Sequence, residues 1–110
     1  MISDNLKNTI VSQISAAVKP FEIFLFGSHA YGIPHKDSDI DLMVVIDSDV
    51  IPQNYDEKSA IYLSVSRAIR TLRSEVPIDL IVYTKPEFNR FKEIGSLFSQ
   101  KILNEGVRLV

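Results

Sequence analysis

Cysteine is missing from this sequence of 110 residues. Without cysteine there can be no disulfide framework, no thiolate zinc site and no thiol nucleophile, so any bound metal must be held by oxygen or imidazole ligands. The sequence also lacks a long apolar run, and its N-terminus has neither the charged region nor the continuous apolar region of a signal peptide. These absences predict a cytoplasmic protein with no membrane-inserted segment.

Basic residues are scarce in one third of the chain. Between positions 21 and 52, Lys36 is the only basic residue beside six acidic ones, so this segment carries −5 while the rest of the chain carries +3. Elsewhere a row of arginines, Arg67, Arg70 and Arg73, has no interleaved aromatic residues. We interpret the row as a solvated helix face, with a partner surface as the alternative, and find no strong nucleic-acid signal.

The apolar spacing predicts a single domain over residues 1–110 with an α/β (α+β) fold, in which helices pack on a mixed β-sheet. Helices are predicted at about 4–19, 28–31, 56–74, 85–91 and 96–105, and strands at 21–26, Ile40–Ile46, Ile78–Thr84 and 107–110. The order of the strands in the sheet stays open at this point.

Two short motifs stand at the ends of predicted strands: Gly27-Ser28 follows the first strand, and Asp39-x-Asp41 opens the second. Side chains two residues apart on a strand share a face, so both carboxylates can reach one hard cation such as Mg²⁺. Asp79, near the start of the third predicted strand, is a candidate third ligand and a candidate group for deprotonating a nucleophile. Gly27 permits close backbone approach, and Ser28 with helix-start amides can bind phosphate oxygens.

Each of these features has an ordinary structural explanation when it is taken alone. A Gly-Ser pair after a strand is usually a turn, an Asp-x-Asp pair is usually a loop rim or a helix cap, and Asp79 could be a lone polar residue. The joint spacing of the three favours the functional interpretation. His29 and His35 have no clear ligand spacing, so we interpret both as surface or structural residues.

Gly27-Ser28, Asp39-x-Asp41 and Asp79 within Ile78-Asp79-Leu80 closely resemble the motifs of the nucleotidyltransferase superfamily with the DNA polymerase β-like fold. The small size of the chain resembles the minimal prokaryotic members. This resemblance implies a nucleotidyltransferase fold and Mg²⁺-dependent nucleotidyl transfer with release of pyrophosphate. It implies that Asp39, Asp41 and Asp79 are catalytic ligands of one or two ions.

Minimal members similar to this chain act as antitoxins that transfer AMP from ATP to a tyrosine of a HEPN ribonuclease toxin. The resemblance therefore implies a protein adenylyltransferase with a HEPN-type toxin as its partner. The chain is too short for the second domain that larger relatives use to hold the base and the acceptor. We therefore expect that a partner protein or a homo-oligomer completes the site if it is active.

The loop after Gly27-Ser28 departs from the pattern of many relatives because it contains no arginine. The triphosphate would then depend on Lys36, a more distant base, or on metal and backbone, so Gly27, Ser28 and Lys36 are the candidate nucleotide-binding residues. Two other functions stay open. One is a non-catalytic binding antitoxin or nucleotide-sensing subunit, and the other is a transferase that acts on a small molecule or RNA with a partner subunit.

Overall fold

A computed structural model of the chain describes residues 3–27, 30 and 39–110. In chain order the elements are α1 (Asp4–Ala17), β1 (Pro20–Phe26), β2 (Ile40–Ile46), α2 (Tyr55–Ala68), α3 (Arg70–Glu75), β3 (Ile78–Thr84), α4 (Lys85–Ile94), α5 (Leu97–Glu105) and β4 (Val107–Arg108). The short helix expected over 28–31 lies outside the described residues, Ala30 excepted. Among the described helices, none has the length and apolar character needed to cross a membrane.

The four strands form one mixed sheet in the order β3-β2-β1-β4. β2 and β3 run parallel, whereas β1 pairs with β2 and β4 in the antiparallel sense. A parallel pair needs a long crossover connection, which α2 and α3 supply. The predicted α/β (α+β) class with a mixed sheet is confirmed, and the first residues of β2 and β3 meet at the same edge.

Both faces of the sheet are covered by helices. Leu42 and Val44 of β2 belong to a core that includes residues of α1, α2 and α3, while Met43 and Val45 belong to a second core with Phe88 and other residues of α4 and α5. This division follows the alternation of side chains along a strand. We call these the first and second cores.

The junction between β3 and α4 has no loop. Thr84 ends the strand and begins the helix, and its N–H donates to Oε1 of Glu87 at 3.0 Å in a capping box. The Nζ atom of Lys58 on α2 binds Oε2 of Glu87 at 2.8 Å and the carbonyl of Val82 at 2.8 Å. These contacts fix where α4 departs from the sheet and so hold it over the second core.

The single helix predicted over 56–74 is wrong, because the helix breaks at Ile69. This residue has φ −109° and ψ 21°, and it separates α2 from α3. No glycine or proline signals the break in the sequence. Ile69 has no exposed surface and Leu72 has 7%, so the change of direction lets both side chains enter the first core, which outweighs the continuity of the helix.

Candidate active site

Asp41 and Asp79 lie side by side on the parallel strands β2 and β3. The register pairs Ile40 with Ile78 and Asp41 with Asp79, and the N–H of Ile40 donates to the carbonyl of Pro77 at 2.9 Å. Residues paired across adjacent strands point to the same face, with backbones about 4.8 Å apart. The crossover through α2 and α3 therefore brings together two acids that are far apart in the sequence.

Asp39 stands two residues before Asp41, directly ahead of β2. Continued strand alternation would put its side chain on the face of Asp41, at a Cα distance of about 6–7 Å. Asp39 and Asp79 are exposed, whereas Asp41 is half-buried. Within the described parts of the chain, neither Asp39 nor Asp79 forms an ion pair. The three acids thus stand at the start of β2 and β3, and Asp39 and Asp79 are presented to solvent without a basic partner from these parts of the chain.

Gly27 is in direct contact with Asp41 through the pairing of β1 with β2. Its φ of +77° lies in the left-handed region, and Phe26, the residue before it, pairs with Asp41. A Cβ atom at position 27 would overlap Oδ2 of Asp41 and lie 3.0 Å from its Cγ. Sequence reasoning assigned this glycine to phosphate approach and missed its contact with Asp41, which no local pattern signals because it depends on strand pairing.

The other candidate nucleotide-binding residues, Ser28 and Lys36, lie outside the described residues, as do His29 and His35. The carbonyl of Gly27 accepts from the N–H of Ala30 at 3.0 Å, so the chain turns directly after β1. Phosphate binding by Ser28 and Lys36 stays a prediction from the sequence.

The oxygen chemistry of the three acids fits a hard divalent cation, which prefers carboxylate ligands and keeps part of its water shell. Their side chains are not gathered around one point: in the described residues, no three His, Asp or Glu side chains form a group that could hold a metal ion. The structure thus brings the three backbone positions together without a closed cage of ligands. Metal binding by Asp39, Asp41 and Asp79 stays a prediction.

A depression of about 470 Å³, lined by Tyr83, Phe91 and Ile94 among others, lies away from the acids. Tyr83 follows Asp79 by four residues on β3, which places it about 13 Å along the strand. A ligand held by the acids would lie at the opposite end of β3, at the edge where Gly27 meets Asp41.

A family model described as a nucleotidyltransferase domain matches residues 7–109 of the chain. A search of curated proteins finds no significant match. Among solved structures, the chain is similar to a toxin–antitoxin crystallised with AMP-PNP, at 22% identity and a TM-score of 0.62, over 94% of this chain and 72% of that one.

Two further solved structures have the same fold. One is a mutant of the toxin–antitoxin MntA–HpeT with two aspartates, two positions apart, changed to glutamate (20% identity, TM-score 0.61, 94% and 72% coverage). The other is a Sulfolobus solfataricus protein assigned as a nucleotidyltransferase (24% identity, TM-score 0.58, 94% and 74% coverage).

Proposed function

The chain belongs to the nucleotidyltransferase domain family, whose model covers almost its whole length, and from this premise we propose that it transfers AMP from ATP to a protein. The observation that carries the proposal is the pairing of Asp41 with Asp79, which puts the acids of two separate motifs on one face. The proposed acceptor is a tyrosine of a HEPN ribonuclease toxin, so the chain acts as its antitoxin. Similarity to the fold of solved toxin–antitoxin proteins, one with AMP-PNP, supports this choice of partner and nucleotide.

In the proposed reaction the tyrosine oxygen of the toxin forms a bond to the α-phosphorus of ATP. The bond from that phosphorus to the bridging oxygen of the leaving pyrophosphate breaks, and the tyrosine proton passes to a carboxylate. Asp79 suits that role because its side chain is exposed and forms no ion pair within the described residues. Mg²⁺, when bound by the acids, supplies neutralisation of phosphate charge and activation of the hydroxyl.

Gly27 has two roles in this proposal. It leaves room for the carboxylate of Asp41, and it starts the turn whose Ser28, together with Lys36, is proposed to bind the phosphates of ATP. The contact between Gly27 and Asp41 would hold the phosphate-binding turn beside the acids. This fixed geometry is what in-line transfer requires of a site that supplies mainly positioning and electrostatics.

The test is transfer of label from ATP carrying ³²P at the α-phosphate to the purified toxin encoded beside this chain, with Mg²⁺ present. Asp79→Asn should lower the transfer rate about a hundredfold or more, because it removes a proton acceptor and a charge at the site. Asp56→Asn is the matched control, since Asp56 is an exposed aspartate in the first turn of α2. Failure of the folded wild-type protein to label the toxin would exclude the proposed activity.

A non-catalytic binding antitoxin is the second candidate, favoured by the absence of a closed cluster of metal-ligating side chains in the described residues. The double variant Asp39→Asn with Asp41→Asn separates the two functions in cells that express the toxin. Under the transfer hypothesis this variant no longer protects the cells. Protection equal to that of the wild type would assign the function to binding alone.

A further inference from the structure

Three arginines line one surface depression at the junction of α2 and α3. Arg67 lies in the last turn of α2, and the break at Ile69 lets Arg70 and Arg73 of α3 turn towards the same place. The depression has a volume of about 420 Å³. We call this site the arginine surface, and its lining residues are Leu63, Ser66, Arg67, Arg70, Arg73 and Ser74.

Within the described residues, the three arginines have no acidic partner, unlike most of the other basic residues there. Basic side chains elsewhere do form ion pairs, such as Lys19 and Lys85 with Asp47. In the described residues, no carboxylate pairs with any of the three arginines, although the chain as a whole is acidic. The arginine surface is therefore a concentration of positive charge with no counter-charge from the described parts of its own chain.

One of the three guanidinium groups is held in a fixed position. Nη1 of Arg73 donates to Oγ of Ser66 at 2.8 Å and to the hydroxyl of Tyr62 at 3.4 Å. An arginine whose rotamer is already fixed loses less conformational entropy when it binds a carboxylate, and its planar fork matches a carboxylate in two-point contact. This arrangement favours recognition of a specific anionic group over diffuse solvation.

A second depression adjoins the arginine surface on α2. It has a volume of about 550 Å³, is lined by Tyr55, Lys58, Ser59, Tyr62 and Leu63, and shares Leu63 with the arginine surface. Tyr55 is 81% exposed. Tyrosine and arginine are among the residue types enriched at the positions that dominate protein–protein binding energy, and such interfaces combine an apolar centre with a polar rim.

The distribution of charge along α2 and α3 favours a protein over a nucleic acid as the occupant. Asp56 and Glu57 lie in the first turn of α2, at the opposite end from the arginines. A nucleic-acid phosphate backbone carries uniform negative charge and would be repelled by Asp56 and Glu57. A protein can place acidic side chains opposite the arginines and uncharged ones opposite Asp56.

The C-terminal end of α3 leads through residues 76–77 into β3, which carries Asp79 near its start. Asp79 follows Arg73 by six positions, so their Cα atoms are at most about 20 Å apart. α2 and α3 pack on the face of Leu42, whereas alternation puts Asp41 and Asp79 on the opposite face. A protein bound at the arginine surface therefore reaches Asp79 by extending a loop or helix around the start of β3.

We propose that the arginine surface and the adjoining depression bind an acidic surface of the toxin and so position the acceptor tyrosine. This inference rests on the proposed function for the identity of the partner. The arginines supply electrostatic attraction and two-point contacts to carboxylates, and the depression beside Tyr55 takes an apolar side chain of the toxin. These residues position the partner and take no part in the chemistry.

The test measures binding and transfer separately, with the purified toxin encoded beside this chain. Arg67→Ala with Arg70→Ala should raise the Kd for the toxin about tenfold or more and weaken its salt dependence. The rate of AMP transfer at saturating toxin should stay at the wild-type value while the KM for toxin rises. Arg90→Ala, an exposed arginine of α4 outside this surface, is the matched control and should change the Kd by less than about twofold.

The outcomes distinguish this inference from the proposed function. If the wild type binds the toxin but transfers no AMP, and the double variant binds it weakly, the activity is wrong and the docking surface stands. Wild-type affinity in the double variant would overturn the docking surface. The docking surface would also be overturned if a single-stranded RNA of about 20 nucleotides bound the wild type but not the double variant, while toxin binding was kept in both. The surface would then be a nucleic-acid site.

Discussion

At the scale of single residues, Gly27 combines a backbone requirement with a steric one. Its φ of +77° costs any other residue strain, and the space where a Cβ would stand is filled by the carboxylate of Asp41. Left-handed backbone strain alone costs a residue with a Cβ atom about 1–2 kcal/mol. We predict that Gly27→Ala destabilises the protein by more than this amount. Urea denaturation followed by circular dichroism measures the loss. The variant should also displace Asp41 and reduce nucleotidyl transfer.

Gly95 provides the matched control for this prediction. Its φ of +62° is also left-handed, but an added Cβ would meet only backbone oxygens at 3.9 and 4.0 Å, which is ordinary contact. Gly95→Ala should therefore cost the backbone strain alone and leave transfer unchanged. Equal losses of stability in the two variants would show that Asp41 moves aside without cost.

At the scale of elements, Asp47 links the end of β2 to two other elements. Its Oδ1 lies 2.8 Å from Nζ of Lys85, the first residue of α4, and its Oδ2 lies 3.2 Å from Nζ of Lys19, just before β1. Hydrogen bonds from Lys85 and then Lys19 hold the pKa of Asp47 below its ordinary value of 3.8. The same contact with Asp47, followed by that with Asp49, raises the pKa of Lys85.

A carboxylate with a lowered pKa stabilises the folded state above its ordinary pKa and loses that contribution as the pH falls through the folded-state pKa. We predict that Asp47→Asn lowers the free energy of unfolding at about pH 6 and that the difference from wild type shrinks towards about pH 3. Chemical denaturation at the two pH values measures this. Lys85 acts in the opposite direction at alkaline pH. Because the pKa of Lys85 is raised, its ion pairs stabilise the folded protein at pH values below the ordinary pKa of 10.5, and this stabilisation is lost as the pH rises past the folded-state pKa.

Asp49→Asn is the control for the Asp47 prediction. Asp49 contacts the same Lys85 at 3.3 Å, but its side chain is 88% exposed, so its pairing is weakened by solvent. A loss of stability in Asp49→Asn as large as that in Asp47→Asn would contradict a special role for Asp47. It would point instead to the general charge balance near Lys85.

At the scale of the whole molecule, one sheet carries both cores, so the two should unfold together. Ile14 of α1 lies in the first core and Ile102 of α5 in the second, and neither has exposed surface. We predict that Ile14→Val and Ile102→Val each cost about 0.5–1.5 kcal/mol. Each should shift the unfolding transitions seen by far-ultraviolet circular dichroism and by tyrosine fluorescence by the same amount.

Ile94→Val is the matched exposed substitution, since Ile94 on α4 is 63% exposed. It should change the free energy of unfolding by less than about 0.5 kcal/mol. If either buried variant separates the two transitions, the cores fold independently, and the sheet does not couple its two faces.

Sequence patterns predicted the strands β2 and β3 because each is a short apolar run with an acid near its start. They also predicted helices that start near residues 4 and 96, where the hydroxyls of Ser3 and Ser96 accept from backbone N–H groups of the first helical turn. They failed at Ile69, where burial in the first core interrupts a continuous amphipathic pattern. Propensity is a local signal and carries no information about the surface on which a helix packs.

The sequence by itself determined which residues could do chemistry: a glycine after one strand and three acids that open two others. Strand alternation predicts that Asp39 and Asp41 share one face, since that period is a property of any strand. Only the tertiary structure decided that Asp79 stands beside Asp41, that Gly27 leaves room for Asp41, and that the arginines of α2 and α3 converge. Strand order, register and helix breaks depend on contacts between distant residues, which no local pattern specifies.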